Sequence, residues 1–232
     1  MTQNQTSCFK VSDTQICPHC RTKKLIKNGF TKNKKQQFYC KNCQKRCIDF
    51  YTNKAWNPDT NAKIILFTKE GLGIRSTARV LKISTTTLLK RIITIAKSIP
   101  PPQIALGKTY EVDEMCTFIR SKQKLLWIVY ALERETRKVV SLNIGSRTKI
   151  TLNSVIKTLK FSQATKIFTD GLKHYKFLID RKIHKTKRFG TNHIERQNLS
   201  VRTHLKRLNR RTICYSKSQL VLMSILKIYF WI

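Results

Sequence analysis

The spacing of apolar residues changes along the chain and divides it into regions of different character. In residues 58–98, apolar side chains recur at three- and four-residue intervals, which predicts two short helices and a longer third one. Residues 108–232 alternate between strand-like and helix-like runs. Residues 16–57 instead collect five of the eight cysteines among lysines and aromatic residues.

The region after residue 108 begins with three successive strand-like segments, at residues 109–119, 124–133 and 138–145. Alternating helices and strands follow, at residues 150–160, 166–171, 172–179, 183–188 and 194–208. A three-stranded meander followed by such alternation predicts an α/β fold with a mixed sheet and helices. This is the order of elements of a ribonuclease H-like domain.

Proline residues mark the clearest boundary in the chain. Pro100, Pro101 and Pro102 cannot continue a helix, so we expect a linker there, and a softer break lies at Asn57–Pro58. We therefore predict five segments: a disordered tail at residues 1–15, a cysteine module at 16–57, a helical module at 58–98, a linker at 99–107 and an α/β domain at 108–232. The apolar residues 220–232 fall short of the ~20 that span a membrane, so we expect a packed C-terminal helix.

The charge balance indicates the class of partner. The 232 residues contain 47 Lys and Arg against 12 Asp and Glu, a formal net charge of +35. Such a charge is expected of a protein that lies along a polyanion, and nucleic acid is the first candidate. A merely basic surface, as in a ribosomal or membrane-apposed protein, is the alternative. The polar N-terminus lacks the apolar segment of a signal peptide, which favours an intracellular protein.

Four cysteines have the spacing of a zinc site. Cys17 and Cys20 form one Cys-x2-Cys pair, Cys40 and Cys43 form another, and residues 21–39 separate the pairs. Two intervening residues let a tight turn offer both sulfurs to a tetrahedral ion, and four thiolates predict a structural zinc. Disulfides or free thiols are the alternative, which an intracellular location disfavours. We therefore predict a zinc ribbon.

The segment between the two cysteine pairs predicts a short hairpin. Strand-like residues 24–26 and 36–39 flank Asn28–Gly29, a dipeptide typical of tight turns. A module this small needs its metal to fold, and its lysine-rich tip suggests contacts with phosphates. His19 and Cys47 lie nearby, but neither is expected to replace a cysteine ligand.

The helical module matches the pattern of a helix-turn-helix. Its first helix begins at Asn61 and ends at Gly71-Leu72-Gly73, residues 74–81 form the second, and Ser84 or Thr85 caps the third. Five residues of the third helix are expected to reach bases or phosphates in a major groove: Ser84, Thr85, Thr86, Lys90 and Arg91. An ordinary three-helix packing unit is the alternative.

Three acidic residues stand out in the α/β region because the chain has so few. Asp113 lies in the first predicted strand, Asp170 at the end of the fourth, and Glu195 at the start of the final helix. Open α/β sheets place their sites at the carboxyl ends of strands, so these carboxylates predict a catalytic site for two Mg2+ ions, which prefer oxygen ligands. Such ions neutralise charge on a phosphate during phosphoryl transfer. Alternatively, Asp170 in the sequence TDG is a turn aspartate.

The other acids of this region have plainer interpretations. Glu111 shares a strand face with Asp113, and Glu114 points to the opposite face. Glu133 and Glu135 lie in a predicted turn, where exposure to solvent is enough to explain a charged side chain.

Glu195 itself has two structural alternatives to a catalytic role. An ion pair along the helix is excluded, because the positions three and four residues away are Thr191, Asn192, Asn198 and Leu199. A capping box between Asn192 and Glu195 remains open. Helical phase places Glu195 beside a predicted buried stripe of Ile194, Val201, Leu205 and Leu208.

Much of the chain, from about Ile16 to Ser224, resembles the transposases of the bacterial insertion-sequence-one family. The similar motifs are CPHC with KNG and YCKNC, GLGIRSTARVL with IS, YEVDE with TF, TDG with Tyr175, and IERQNLSVRTHLKRLNRRTICYSKS. The last of these is long and specific. Cys47 and Leu172 stand where aromatic residues are usual and Cys116 where tryptophan is usual, but none of these departures removes a metal ligand.

The resemblance implies a zinc ribbon and a helix-turn-helix that bind the terminal inverted repeats of an insertion sequence, followed by a DDE catalytic domain. The catalytic acids of the family map to Asp113, Asp170 and Glu195, and a basic residue seven positions after the glutamate maps to Arg202. The implied activity is a transposase that cleaves DNA at the ends of its element and joins the freed 3′-hydroxyl to target DNA, with Mg2+ or Mn2+ as cofactor.

The expected partners are double-stranded terminal repeats and target DNA, with a homo-oligomer on the DNA and neither a membrane nor a small-molecule substrate. A bacterial cytoplasmic, nucleoid-associated location is expected. Cations expected along the DNA are Lys185, Lys187, Arg188, Arg196, Arg202, Lys206, Arg207, Arg210 and Arg211. Two alternatives are a DNA-binding regulator with an inactive ribonuclease H-like domain, and a nuclease without strand transfer.

Overall fold

The chain divides into two compact units, residues 1–54 and residues 55–232. The computed structural model describes residues 15–48, 55 and 57–232. The predicted N-terminal tail therefore lies outside the described residues apart from Gln15, and so does the stretch 49–54 of the predicted cysteine module.

The first unit contains an antiparallel three-stranded sheet of β1 (Leu25–Phe30), β2 (Gln36–Cys40) and β3 (Arg46–Ile48). The predicted hairpin is present, but its predicted turn at Asn28–Gly29 is wrong. Both residues lie inside β1, where Gly29 has a φ of +69° at a shift in strand register. The chain turns instead at Thr31–Lys35, where the Thr31 amide donates to the Lys35 carbonyl at 2.9 Å. Gly29 thus serves a β-bulge, which needs the same left-handed backbone as a tight turn.

The second unit begins with three helices, α1 (Thr60–Lys69), α2 (Ile74–Leu81) and α3 (Thr85–Ser98). Ser84 caps α3, because its side chain accepts a hydrogen bond from the Thr87 amide at 3.0 Å. The residues that these helices bury recur at helical spacing, as Ile64 in α1 and Leu88, Ile92 and Ile95 in α3.

A five-stranded mixed sheet follows, in the spatial order β6-β5-β4-β7-β8. Its first three strands in sequence pair antiparallel, and its last two run parallel to the central β4. The strands are β4 (Thr109–Ile119), β5 (Ser121–Glu133), β6 (Val139–Gly145), β7 (Lys166–Phe168) and β8 (His184–Lys185). The predicted α/β, ribonuclease H-like order of elements is confirmed.

Helices cover both faces of this sheet. They are α4 (Lys149–Phe161), α5 (Lys173–Leu178), α6 (Asn192–His204) and α7 (Gln219–Trp231). One core contains α4 and α5 with residues such as Val112 and Val129, and the other contains α6, α7 and α1–α3 with Ile128 and Tyr130. The three N-terminal helices therefore share a hydrophobic core with the sheet. Among the described residues, every helix falls short of the length and apolarity that crossing a membrane requires.

Helix α6 ends earlier than its sequence predicts. The apolar stripe predicted a helix to Leu208, but Leu205 leaves helical geometry with φ −95° and ψ 86°, and a short 3-10 turn, Lys206–Leu208, follows. Leu205 and Leu208 are both buried nonetheless. The backbone of Gly71, in the α1–α2 turn, lies against the His204 carbonyl, so a feature distant in sequence adjoins the end of the helix.

We predict that Gly71→Ala destabilises the second unit by about 2–4 kcal/mol. Gly71 has a φ of +74°, and a Cβ there would lie 1.9 Å from the His204 carbonyl oxygen. Gly73→Ala is the matched control, because no atom lies within 4 Å of its added Cβ. Urea unfolding measures both variants, and equal losses would contradict the predicted close contact.

Candidate active site and metal-binding residues

Asp113 lies in β4, and Asp170 follows the end of the neighbouring parallel strand β7. Pairing of β4 with β7 places Glu111 opposite Phe168, and each aspartate follows its paired residue by two positions. Asp170 lies just beyond the end of β7, where one of its carboxylate oxygens accepts a hydrogen bond from the Leu172 amide at 3.0 Å. This local turn uses only one oxygen. The turn interpretation of Asp170 and a place beside Asp113 are therefore compatible.

Asp113 is half-buried, and both oxygens of its carboxylate are hydrogen bonded. Its Oδ1 accepts from the Glu114 amide at 2.8 Å, and its Oδ2 accepts from the side-chain amide of Asn198 at 2.7 Å. Burial, together with the negative charges of Glu114 and Asp170, raises the pKa of Asp113 from 3.8 to about 6, although both hydrogen bonds favour the ionised form. The site thus concentrates negative charge at a place where ionisation is costly, which suits the binding of a cation.

Glu195 lies on the exposed side of the first turn of α6. Its Oε1 accepts a hydrogen bond from the Thr191 hydroxyl at 2.7 Å. The capping-box alternative with Asn192 does not form, because α6 starts at Asn192 and Thr191 occupies the cap position. Asn198, three residues further along α6, contacts Asp113. Residues three apart are neighbours on a helix surface, so Glu195 adjoins the residue that reaches β4.

Glu111 holds the start of α6 against the sheet. It is fully buried, and its Oε2 accepts hydrogen bonds from the backbone amides of His193 and Ile194, both at 3.0 Å. Its Oε1 accepts from His193 Nδ1 at 2.6 Å and lies 3.3 Å from Arg134 Nε. A carboxylate at a helix N-terminus satisfies free amides and interacts favourably with the helix dipole. Glu111 therefore fixes the helix that carries Glu195.

Glu114 makes a matching connection on the other face of β4. Arg147 donates two hydrogen bonds to its Oε2, at 3.1 and 2.9 Å, while the Tyr175 hydroxyl donates to its Oε1. The guanidinium of Arg147 also stacks 4.3 Å from the centroid of the Trp127 ring. Because Tyr175 belongs to α5, which follows Asp170, this network ties the segment after β7 to β4.

The four predicted zinc ligands converge in the first unit. Cys17 Sγ lies 3.6 Å from Cys43 Sγ, Cys20 Sγ lies 3.5 Å from Cys40 Sγ, and all four sulfurs lie within 4.8 Å of one another. A tetrahedron with metal–sulfur distances of about 2.3 Å separates its sulfurs by about 3.8 Å, so this set could hold a metal ion. Across the described residues it is the one converging group of three or more such ligands, and the three carboxylates do not form a second.

Two thiols of this cluster, Cys20 and Cys43, differ widely in pKa. A backbone hydrogen bond from Thr22 lowers the pKa of Cys20 to about 6. A backbone hydrogen bond from Lys45 lowers the pKa of Cys43, but burial and the neighbouring cysteines outweigh it and raise that pKa to about 12. One thiolate therefore opposes ionisation of the next, and a bound divalent cation would remove this opposition by attracting each of them.

Most of the predicted DNA-binding residues are exposed. These are Ser84, Thr85, Thr86, Lys90, Lys185, Lys187, Arg188, Arg196, Lys206, Arg210 and Arg211. Arg91 instead donates to Asn61 Oδ1 at 2.8 Å and so joins α3 to α1. Arg207 is half-buried, which lowers its pKa, and lies 3.5 Å from Ser216 Oγ. Arg202 is half-buried, and its Nε has no hydrogen-bond partner among the described residues.

The sequence interpretation did not identify the roles of Glu111, Glu114 and Asn198. A usable signal existed for the two glutamates, because three of the 12 acids in the chain occur within the four residues 111–114. Acidic residues are scarce in this chain, and the scarcity that made Glu195 a candidate applies equally to Glu111 and Glu114. Asn198 carried no such signal, since an asparagine on a helix is ordinary until its partner is known.

The α/β region is similar in sequence to one family of known proteins. The family described as IS1 transposase matches residues 108–230. The insertion element IS1 protein InsB of Shigella flexneri is 35% identical over 108 residues, which cover 47% of this chain and 82% of that protein. The insertion element IS1 2 protein InsB of Escherichia coli (strain K12) is 34% identical over 108 residues, and the match spans 65% of its length.

One solved structure also resembles the chain. It is the cryo-EM structure of a simian T-cell lymphotropic virus intasome in complex with PP2A regulatory subunit B56 gamma, at 14% identity. The match covers 70% of this chain and 66% of that chain with a TM-score of 0.38. At that TM-score the likeness carries no argument.

We predict that Glu111→Ala lowers the free energy of unfolding by about 3–5 kcal/mol, because it leaves the N-terminus of α6 and the charged groups around it without their buried partner. Glu135→Ala is the control, since Glu135 pairs with Lys108 at 2.6 Å but is 63% exposed, and its loss should cost at most about 1 kcal/mol. Chemical denaturation measures both. Equal losses would contradict the anchoring role of Glu111.

Proposed function

The chain belongs to the IS1 transposase family, and we propose that it cleaves DNA at the ends of an insertion sequence and joins the freed 3′-hydroxyl to target DNA. The observation that supports this chemistry is the arrangement around Asp113. Its carboxylate interacts electrostatically with Asp170, which follows the neighbouring strand β7, and is hydrogen bonded to the helix that carries Glu195. Cleavage and joining are both attacks on a phosphodiester, by water in the first step and by the 3′-hydroxyl in the second.

In this proposal Asp113, Asp170 and Glu195 are the catalytic acids and hold two Mg2+ or Mn2+ ions. Their oxygens suit these hard cations. Burial and the repulsion by neighbouring carboxylates raise the pKa of Asp113, and a bound cation would offset both effects. When bound, the ions would supply charge neutralisation at the scissile phosphate and a more acidic attacking hydroxyl.

Arg202 is proposed to hold the DNA phosphate at this site. It lies on α6 four residues after Asn198, and it interacts electrostatically with Asp113. An arginine can offer several donors in a fixed plane to phosphate oxygens.

DNA recognition is proposed to fall to the residues before the linker. A zinc ribbon at residues 16–57 and a helix-turn-helix at 58–98 would bind the terminal inverted repeats, leaving 108–232 as the catalytic domain. The exposed Ser84, Thr85 and Thr86 at the start of α3 support this assignment, since that end of a recognition helix faces base edges. The exposed cations of the α/β region would contact phosphates, and the transposase would assemble as a homo-oligomer on DNA.

The catalytic assignment predicts that Glu195→Gln abolishes cleavage without loss of folding or end binding. Glutamine keeps an oxygen that can accept the Thr191 hydrogen bond but is a poor ligand for Mg2+. Several kcal/mol of lost transition-state stabilisation correspond to a cleavage rate at least about 100-fold lower.

Glu135→Gln serves as the control for removing one carboxylate and should cleave normally. The assay uses a duplex carrying a terminal repeat and scores cleaved and joined strands separately. Retained cleavage by Glu195→Gln would rule out its catalytic role. Cleavage without joined products in the unmodified protein would indicate a nuclease.

The zinc assignment predicts one zinc ion per chain, lost in Cys40→Ser and retained in Cys47→Ser. Cys40 belongs to the converging set of four thiols, whereas Cys47 is a buried thiol outside that set. Zinc content by mass spectrometry and binding of a terminal-repeat duplex test this. Normal zinc content in Cys40→Ser would contradict the assignment.

A further inference from the structure

A chain of hydrogen bonds runs from the interior of the sheet to the proposed catalytic carboxylate. The Tyr130 hydroxyl on β5 donates to Asn198 Oδ1 at 2.7 Å, and Asn198 Nδ2 donates to Asp113 Oδ2 at 2.7 Å. Tyr130 is fully buried and packs against Phe230 with ring centroids 5.4 Å apart. The first member of the chain is therefore held rigidly.

Chemistry fixes the orientation of the Asn198 amide. The Asp113 carboxylate only accepts hydrogen bonds, so the amino group of Asn198 must face it. The opposite orientation would direct the amide oxygen at the carboxylate and place two acceptors in contact. The Tyr130 hydroxyl then supplies the proton that the amide oxygen accepts. The acceptor character of Asp113 thus fixes the amide orientation of Asn198, and that orientation makes the Tyr130 hydroxyl the donor.

The same hydrogen bonds leave Asp113 able to bind a cation. Each of its oxygens accepts one bond, Oδ1 from the Glu114 amide and Oδ2 from Asn198. A carboxylate oxygen has a second lone pair, so one acceptor position remains on each. Asn198 also lies one helical turn after Glu195, so its bond to Asp113 sets the distance between the helix and strand that carry two of the proposed ligands.

We propose that Asn198 is a positioning residue for metal binding, which orients Asp113 and fixes the approach of α6, and that Tyr130 acts through Asn198. This inference rests on the proposed function of Asp113. Groups that orient metal ligands contribute about 10- to 100-fold to metal affinity. A purely structural Asn198 would change stability and leave the affinity of the folded protein for the ion unaltered.

The test measures Mn2+ binding to the zinc-loaded full chain without DNA, by calorimetry and by the Mn2+ electron paramagnetic resonance signal. Asn198→Ala should weaken binding about 10- to 100-fold, and Tyr130→Phe should weaken it less. Asn192→Ala, which alters an exposed asparagine of the same helix, is the matched control and should bind normally. Thermal unfolding of each variant shows that the comparison is made between folded proteins. Tyr130 keeps the Ile194 carbonyl, at 3.3 Å, as an acceptor when Asn198 is removed.

The double variant Tyr130→Phe/Asn198→Ala separates positioning from general destabilisation. If Tyr130 acts through Asn198, the double variant binds Mn2+ as weakly as Asn198→Ala alone, whereas independent effects would multiply. Multiplied effects would overturn the inferred role of Tyr130, and unchanged affinity in folded Asn198→Ala would overturn that of Asn198.

Asp113→Asn distinguishes failure of this inference from failure of the proposed function. If Asp113→Asn loses Mn2+ binding while Asn198→Ala retains it, Asp113 remains a ligand and only the positioning role is wrong. If the unmodified chain binds no more Mn2+ than Asp113→Asn, the proposed metal site fails, and the inference fails with it.

Discussion

The docking of α6 against β4 is the interaction on which the rest of the proposed site depends. Two carboxylates on one face of β4 make it: Glu111 accepts hydrogen bonds from the amides that begin the helix, and Asp113 accepts one from Asn198 a turn later. Two polar contacts spaced along a helix set both its position and its rotation. Glu195 lies between them in sequence, so its place relative to Asp113 follows from this docking.

Burying several acids in one strand is costly, and the neighbouring groups offset that cost. Glu111 has the α6 amides, His193 and Arg134 around it, and Glu114 has Arg147 and Tyr175. Asp113 differs, since its donors are neutral and its pKa is raised by burial and by nearby negative charge. Of three neighbouring acids, the one without a cationic hydrogen-bond partner is therefore the one proposed to bind metal ions.

The helices proposed to recognise DNA are also part of the packing around the sheet. Helices α1–α3 share a hydrophobic core with α6, α7 and one face of the sheet, and the backbone of Gly71 lies against the last carbonyl of α6. The proposed recognition helices therefore belong to the same hydrophobic core as the helix that carries Glu195.

Local patterns in the sequence determined the helices and strands and the candidate metal-binding and catalytic residues. Periodicity predicted the helices and strands closely, the Cys-x2-Cys spacing predicted the four converging thiols, and the rarity of acids drew attention to Glu195. These features depend on residues close together in the chain. The buried stripe of α6 was also predicted correctly, since Ile194, Val201, Leu205 and Leu208 are all buried.

Tertiary structure alone decided where those elements meet. It moved the hairpin turn to Thr31–Lys35, ended α6 at His204, and gave Glu111 and Asn198 partners more than 80 positions away. A glutamate on a strand or an asparagine on a helix has no particular role until folding brings a helix end or a carboxylate within hydrogen-bond distance. Such contacts depend on how segments distant in sequence pack together, so the local spacing of residues does not predict them.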